Sequence, residues 1–412
     1  MKNVYASIDI GNDSIKVAVC QLYNNKLNLL AASSVKSEGI KKGKIVNSDL
    51  AKEKIEEALS EVEDMLGINI KKIIVSIPSI DSSFKLIDGK TSINPDVGVL
   101  GKDIRKVLEN AVLNADIVNE EVVNILPIDF GIDLEKGIID PKGKTGRTLT
   151  ARAVLVSVPK SYVYSIVNLL ENIGLEVIDI SVNPVGDINM FKSKDTESKV
   201  GAIINIGYDT TSVSIYNKGI IIKNSILELG SKNIDNDISY IYKVNNNDSI
   251  KLKEKFALAH KRYAGKGNFY ETTNKLGEKI KINQFELSEV VMSRIEEILV
   301  LARKEINLLT KREVDYIIIT GGTSSMDNFQ VVCEEVLGEN ASIGNIRILG
   351  VRNNKYSVVI GNIINFINNL KLKNIDYTMI EELDDFKQNK SNIMNVINET
   401  MLGKVFGYFF ND

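Results

Sequence analysis

Two stretches of the chain follow the same pattern: Ala6–Val19 reads ASIDIGNDSIKVAV, and Ile203–Ile215 reads IINIGYDTTSVSI. Each is a short apolar strand, a turn that contains Gly and Asp, and a second strand with β-branched residues. Such a hairpin exposes backbone N–H groups at its turn, where glycine lets a ligand approach closely. Two turns of this kind that face one another suit a polyphosphate, so the repeat predicts a nucleotide site.

A third glycine-rich turn follows a later apolar strand, in residues 317–325, which read IIITGGTSS. One Gly-Asx turn alone is weak support, because most such turns are ordinary hairpins. Two copies of the hairpin, together with this third turn, favour nucleotide binding over chance.

The first turn supplies polar groups suited to phosphate and Mg²⁺. Ser14 adds a hydroxyl and Lys16 a cation for the β- and γ-phosphates, while Asp9 ends its strand at the same place. Mg²⁺ keeps several waters and takes few protein carboxylates, so one Asp suffices. In the second copy the matching residue is Asn205, whose amide can bind a metal-bound water but cannot act as a base. The predicted phosphate-binding residues are Gly11, Asn12, Ser14, Ile15, Lys16, Gly207, Tyr208 and Asp209, and the predicted metal-site residues, acting on Mg²⁺ through water, are Asp9 and Asn205.

Composition narrows the function further. The chain has 412 residues, of which 44% are hydrophobic, enough for at least two domains. A net charge of −3 without a long basic block argues against nucleic acid as a partner. Two distant cysteines argue against a disulfide framework or a zinc site. The single histidine, His260, lies among Lys and Arg, so we expect it on a solvated surface and without an acid–base role.

The pattern along the chain predicts several elements. A β-meander over residues 1–35 precedes a helix over 48–66, which Gly67 ends as a C-cap. Residues 82–160 predict an α+β insertion with a helix at about 101–115. A lysine-rich helical stretch at about 231–263 and a long amphipathic helix at about 285–309 follow. No signal peptide and no run long enough to cross a membrane is expected.

The duplicated hairpin and the later Gly-Gly turn are similar to those of the actin, heat-shock-chaperone and sugar-kinase superfamily. Within it, the chain resembles the FtsA family, bacterial cell-division actins that tether the FtsZ ring to the membrane. The stretches that carry this resemblance are Ile8–Gly11 with Ser14–Lys16, Gly39–Val46, Gly137–Leu149, Leu227–Gly230 with Asn233 and Asp237, and Gly321–Thr323.

The resemblance implies an α/β, actin-like ATPase fold with two RNase-H-like cores (1A and 2A), an inserted FtsA-type subdomain 1C and a subdomain 2B. The implied divisions are 1A at 1–81 and 161–198, 1C at 82–160, 2A at 199–230 and 311–371, 2B at 231–310, a linker at 372–390, and an amphipathic membrane-targeting helix at 391–412.

The resemblance also implies ATP and Mg²⁺ as cofactors, with adenosine contacts at Gly230, Gly321, Gly322 and Thr323. The implied partners are the FtsZ C-terminal peptide, further copies of this chain in a head-to-tail filament, the inner leaflet of the cytoplasmic membrane, and later division proteins. We expect FtsZ to bind subdomain 2B, with Arg294 as the predicted contact. Arg294, Glu297 and Lys304 are expected on the outward face of the helix at about 285–309. The implied location is peripheral, on the cytoplasmic face of the cell membrane at the division septum.

The second turn departs from the family pattern, because many members carry Asp and Gly-Gly where this chain has Asn205 and a single Gly207. Neither turn supplies a general base for attack by water. We therefore expect ATP binding with weak or absent hydrolysis and assign no catalytic residue.

The last residues predict an amphipathic helix that begins after Ser391. A core helix is the ordinary interpretation of such a face, but its position after an acidic linker favours a helix that lies in a membrane surface. Lys404 is the only cation of its polar face, so insertion must be hydrophobic. The predicted anchor residues are Ile397, Met401, Leu402, Val405, Phe406 and Phe409.

Three other classes share this core. A sugar-type kinase needs a carboxylate base and no insertion of this type, and a chaperone-type ATPase needs a further substrate-binding domain. A pilus-type FtsA-like actin that docks a membrane assembly should lack the amphipathic tail. Removal of residues 391–412 followed by a liposome-pelleting assay separates that last class from a membrane-tethering filament protein.

Overall fold

A computed structural model of the chain describes residues 3–380 except 116, 118, 352, 374 and 376. The chain divides into two compact units. Unit 1 comprises the described residues of Met1–Met190, Arg347–Val351 and Val358–Asp412, and unit 2 comprises the described residues of Phe191–Ile346 and Arg352–Ser357.

The described part of unit 1 is built from two larger sheets, a two-stranded sheet and the helices that pack on them. From Val4 to Phe191 the elements are β1 (Val4–Ile10), β2 (Ser14–Tyr23), β3 (Lys26–Lys36), β4 (Ile40–Lys41), β5 (Lys44–Ile45), α1 (Ser48–Leu66), β6 (Lys72–Ile77), β7 (Ser83–Ser92), α2 (Gly101–Leu113), β8 (Glu120–Ile132), β9 (Glu135–Ile138), β10 (Thr148–Pro159), α3 (Lys160–Glu171), β11 (Glu176–Val182) and α4 (Asn183–Phe191).

The first sheet has the strand order β11-β6-β1-β2-β3. Strand β1 is buried along its whole length, which agrees with its position at the centre of the sheet. It runs antiparallel to β2 and parallel to β6, so the predicted hairpin opens the core of unit 1. Helix α1 packs against β3 and ends at Gly67, whose φ of 65° is the left-handed C-cap that its sequence predicts.

The second sheet of unit 1, in the order β7-β10-β8-β9, belongs to the insertion. Helix α2 places Ile104, Val107 and Ala111 in a core that is shared with the sheet. The insertion therefore has a hydrophobic centre of its own.

Unit 2 repeats the first architecture. Its elements are β12 (Val200–Ile206), β13 (Thr211–Asn217), β14 (Ile220–Leu227), α5 (Ser231–Tyr242), α6 (Asn246–Lys255), β15 (Phe269–Thr273), β16 (Lys279–Asn283), α7 (Gln284–Leu309), β17 (Tyr316–Thr320), α8 (Phe329–Leu337) and β18 (Ala341–Ile343). The main sheet has the order β14-β13-β12-β17-β18, with β12 at its centre. Helices α5, α6 and α7 and the hairpin β15–β16 form the segment that we expected to be subdomain 2B.

The chain then returns to unit 1 in α9 (Ser357–Lys373). The first described residues of the segment that we expected to be a linker, from residue 372 onward, are part of the packed structure. The backbone N–H of Met379 donates to the carbonyl of Val4 at 3.1 Å, the Tyr5 hydroxyl donates to the carbonyl of Tyr377 at 2.9 Å, and Met379 and Ile380 are buried. Residues 377–380 are thus packed on β1, because their apolar side chains extend the core of unit 1.

Candidate functional site

The first turn places a cation and a carboxylate side by side. Asp9 and Lys16 face each other in the β1–β2 register, and the Lys16 ammonium lies 3.1 Å from Asp9 Oδ2. The same ammonium donates to the Ser14 carbonyl at 3.2 Å, which holds it over the turn. Asp9 Oδ1 is buried and accepts no hydrogen bond from any residue that the structure describes. A buried carboxylate oxygen without a donor is costly, so this atom is suited to a water or an ion.

Glycine is required at the tip of this turn. A Cβ added to Gly11 would lie 2.8 Å from the Ser14 carbonyl oxygen and 3.3 Å from the Lys16 ammonium. The Ile15 side chain is fully buried, so only its backbone can reach a ligand.

The Asn12 side chain, which we predicted to bind phosphate, has a hydrogen-bond partner in the segment after β4. Its Oδ1 accepts a hydrogen bond from the Gly43 N–H at 2.6 Å. The Tyr162 hydroxyl in turn donates to the Gly43 carbonyl. Sequence reasoning missed Gly43 and Tyr162 as neighbours of the turn, although Gly39–Val46 was one of the stretches that carried the family resemblance.

The second turn obtains its cation from a different element. The N–H of Gly207 closes the turn on the Thr210 carbonyl, so Gly207 does not offer that group to a ligand. The first two residues of α5 donate their backbone N–H groups to the carbonyls of Gly207 and Tyr208. One of them, Lys232, has its ammonium 3.0 Å from Asp209 Oδ1 and 5.7 Å from the centre of the Tyr208 ring. Lys232 was absent from our predicted site, because it follows the turn by more than twenty residues.

Four predicted residues of unit 2 meet at the end of β12. A Cβ at Gly230 would lie 2.7 Å from the Gly207 carbonyl oxygen, and one at Gly321 would lie 2.8 Å from Asn205 Oδ1. Asn205 also lies opposite Thr320 in the parallel pairing of β12 with β17. Gly322 opens a short 3₁₀ turn, and Thr323 is buried within it. The Gly321–Thr323 turn, which we expected to contact adenosine, therefore lies beside the turn at Gly207.

We expected Arg294 on the solvent-facing side of α7, but its side chain is partly buried. Its guanidinium makes two hydrogen bonds with Asp237 of α5, at 2.6 and 2.9 Å, and a third with Glu297. The side chain is 24% exposed, and the hydrogen bond to Asp237 raises the pKa of the guanidinium. Glu297 and Lys304 do face solvent. The ion pair of Arg294 with Asp237 thus connects α7 to α5, although the two residues are far apart in the sequence.

His260 is buried and not solvated, which corrects our expectation. Its Nδ1 accepts from the Arg262 N–H at 3.1 Å, and its Nε2 lies 3.1 Å from a carboxylate oxygen of Glu335. It caps a short 3₁₀ turn over Lys261–Tyr263, where the expected continuous helix is broken.

Other predicted features lie apart from these turns. Cys20 and Cys333 are separate buried thiols. Within the described residues, no three His, Cys, Asp or Glu side chains form a metal-binding group, and no helix is long and apolar enough to cross a membrane. The predicted anchor residues from Ile397 to Phe409 lie outside the described part of the chain.

Solved structures with this fold define the class of protein. A chain of the PilM–PilN type IV pilus biogenesis complex matches with a TM-score of 0.61 and 12% identity, over 88% of this chain and 98% of that chain. MreB5 of Spiroplasma citri bound to ADP matches with a TM-score of 0.52 and 12% identity, over 90% of this chain and 98% of that chain. The fold is actin-like, as predicted.

Sequence comparison narrows the class to one family. The family model "Cell division protein FtsA" matches residues 202–361, and the model "SHS2 domain inserted in FTSA" matches residues 83–157. The cell division protein FtsA of Bacillus subtilis is 26% identical over 92% of this chain and 87% of its own length. That of Enterococcus hirae is 28% identical over 89% of this chain and 84% of its own length. The chain belongs to the FtsA family of cell-division proteins.

Proposed function

We propose that this chain is an ATP-binding, membrane-bound cell-division actin that polymerises on the inner leaflet and ties FtsZ filaments to it at the division site. The observation that carries the nucleotide part is the first turn. There Asp9 pairs with the Lys16 ammonium through Oδ2, while its buried Oδ1 has no hydrogen-bond partner among the described residues. The FtsA relatives support the cell-division part, and the ADP-bound MreB5 of the same fold supports nucleotide binding.

In this proposal, different residues of the turns bind Mg²⁺, phosphate and adenosine. With ATP and Mg²⁺ bound, Asp9 Oδ1 would hold the hydrated Mg²⁺ and Lys16 would neutralise phosphate charge. Bound Mg²⁺ supplies charge neutralisation of the phosphates. On unit 2, Lys232 and the turn at Tyr208 and Asp209 contribute to phosphate binding, and the Gly321–Thr323 turn contributes to adenosine. Asn205 cannot act as a general base, so we propose slow or negligible hydrolysis.

A titration with a fluorescent ATP analogue, with and without Mg²⁺, tests this site. Asp9→Asn removes the carboxylate charge, so we expect about tenfold weaker binding in Mg²⁺ and loss of the Mg²⁺ dependence. Asp13→Asn is the matched control, because Asp13 is exposed on the same turn. Equal affinities for the wild type and Asp9→Asn would refute the assignment of Asp9.

The membrane part of the proposal rests on the sequence of residues 391–412. A chain that ends at residue 390 should stay in the supernatant with liposomes that pellet the full chain. Pelleting of the shortened chain would refute the tail as the anchor. A full chain that does not pellet either would favour the pilus-type alternative, which docks on a protein partner that liposomes lack.

FtsZ binding is proposed for the segment 231–310, with Arg294 as a contact. Because Arg294 also holds Asp237, charge reversal alone is ambiguous. Arg294→Asp should weaken binding of an FtsZ C-terminal peptide, and the swap Arg294→Asp with Asp237→Arg restores the internal pair. Binding that stays weak in the swap supports a direct contact. Binding that returns, or never changes, removes Arg294 from the interface.

A further inference from the structure

The β4–β5 hairpin lies directly on the first turn. Besides the hydrogen bond from the Gly43 N–H to Asn12, the backbone N–H of Ser37 donates to the Asp13 carbonyl at 2.8 Å. Two adjacent residues of the turn are therefore held by the segment that follows β3.

Gly43 is enclosed on its other side. Its φ is +69°, and an added Cβ would lie 2.8 Å from Pro78 Cγ and would also meet the Tyr162 hydroxyl. The peptide is thus clamped, with its N–H on Asn12 and its carbonyl on Tyr162. No side chain fits at this position without displacing one of these neighbours.

Tyr162 connects this clamp to the insertion. It lies in the first turn of α3, directly after β10, and is 8% exposed. Burial, and then the negative charges of Asp81 and Asp9, raise the pKa of its phenol. The hydroxyl therefore stays protonated and can donate at physiological pH.

We propose that Tyr162 is a positioning residue for the first phosphate turn, which it holds through Gly43 and Asn12. The proposal rests on nucleotide binding at this turn, as proposed above. Helix α3 directly follows β10, which is a strand of the insertion. The hydrogen bonds from Tyr162 to Gly43 and from Gly43 to Asn12 therefore connect nucleotide binding at the turn with the insertion. Coupling of this kind is reciprocal, so a change at either end is felt at the other.

The first test removes only the hydroxyl. Tyr162→Phe keeps the packed ring and should weaken binding of the fluorescent ATP analogue about fivefold. Tyr164→Phe is the control, because Tyr164 lies two residues further along α3 and is partly exposed, and it should bind as the wild type does.

A double-mutant cycle distinguishes positioning from general stability. If Tyr162 acts through Asn12, then Asn12→Ala with Tyr162→Phe should bind within about twofold of Asn12→Ala alone. Independent losses that multiply in the double variant would contradict the proposed route.

Hydrogen exchange without nucleotide gives a readout that does not depend on ATP binding. Tyr162→Phe should raise exchange at Gly43 and across residues 11–14, whereas Tyr164→Phe should not. Wild-type affinity together with wild-type exchange in Tyr162→Phe would overturn the inference. A wild type that binds no nucleotide would overturn the proposed function, while the exchange data would still decide the role of Tyr162.

Discussion

At the scale of single residues, the two turns share a backbone pattern but draw their cation from different places. In the first turn Lys16 comes from the second strand of the hairpin itself. In the second turn Lys232 comes from the start of α5 and pairs with Asp209. The carboxylate at the end of the first strand, Asp9, has become Asn205 in the second copy. The copies therefore agree in the turn glycine and in the Asp two residues after it, and they differ in the source of the cation and in the residue at the end of the first strand.

Gly43 provides a residue-scale prediction about stability. Gly43→Ala places a side chain in the left-handed region, which costs roughly 1–2 kcal/mol, and crowding against Pro78 adds to that cost. Gly67→Ala is the control, since Gly67 has a similar φ of 65° but nothing within 4 Å of an added Cβ. Urea-induced unfolding should show a larger loss for Gly43→Ala. Equal losses would mean that the clamp around Gly43 yields without cost.

Cys20 provides a prediction about pH. Burial raises the pKa of its thiol from 9.0 to about 12. Between these values the unfolded chain releases a proton that the folded chain keeps, so stability falls as pH rises, by up to about 1.4 kcal/mol per pH unit. Cys20→Ala removes this contribution, and its unfolding free energy should decline less steeply from pH 9 to 11. Parallel declines in the two proteins would show that the thiol does not resist ionisation.

At the scale of elements, α5 and α6 are joined by a buried ion pair. Lys253 lies 2.8 Å from Asp235, and both side chains are almost inaccessible to solvent. Removal of one partner leaves the other charge buried, so we expect Lys253→Met to destabilise unit 2 by about 3–5 kcal/mol. Lys253→Met with Asp235→Leu should recover much of that loss.

The control for this pair is an exposed one on the β15–β16 hairpin, Lys281 with Glu271. Lys281→Met should leave the unfolding midpoint unchanged, because water screens exposed pairs. A Lys253→Met variant as stable as Lys281→Met would show that water reaches the space between α5 and α6.

At the scale of the whole molecule, the proposed anchor predicts cooperative membrane binding. One tail with five or six apolar side chains gives a reversible hold, whereas a filament presents many tails at once. Liposome binding should therefore rise steeply with protein concentration and follow the appearance of filaments in electron micrographs. A simple hyperbolic isotherm, equal for monomers and filaments, would contradict this dependence on assembly.

Local patterns determined much of this protein before any fold was known. Nearby residues predict the repeated hairpin, the helix that ends at Gly67, the insertion and the long helix α7. They do so because strand and helix periodicity, turn glycines and caps act over a few positions. The actin-like class and the FtsA family were implied by the resemblance of particular stretches, chiefly the two hairpin turns, Gly39–Val46, Gly137–Leu149 and Gly321–Thr323, and comparison confirmed both.

Only the tertiary structure decided which partners the polar side chains have. Asn12 is held by Gly43, Arg294 by Asp237, and His260 lies beside Glu335. The segment at Met379 packs on β1, at the opposite end of the sequence. These pairs are separated by about 30 to 375 residues, so no local pattern encodes them. They form because burial obliges each polar group to find a partner wherever the packed elements bring one near.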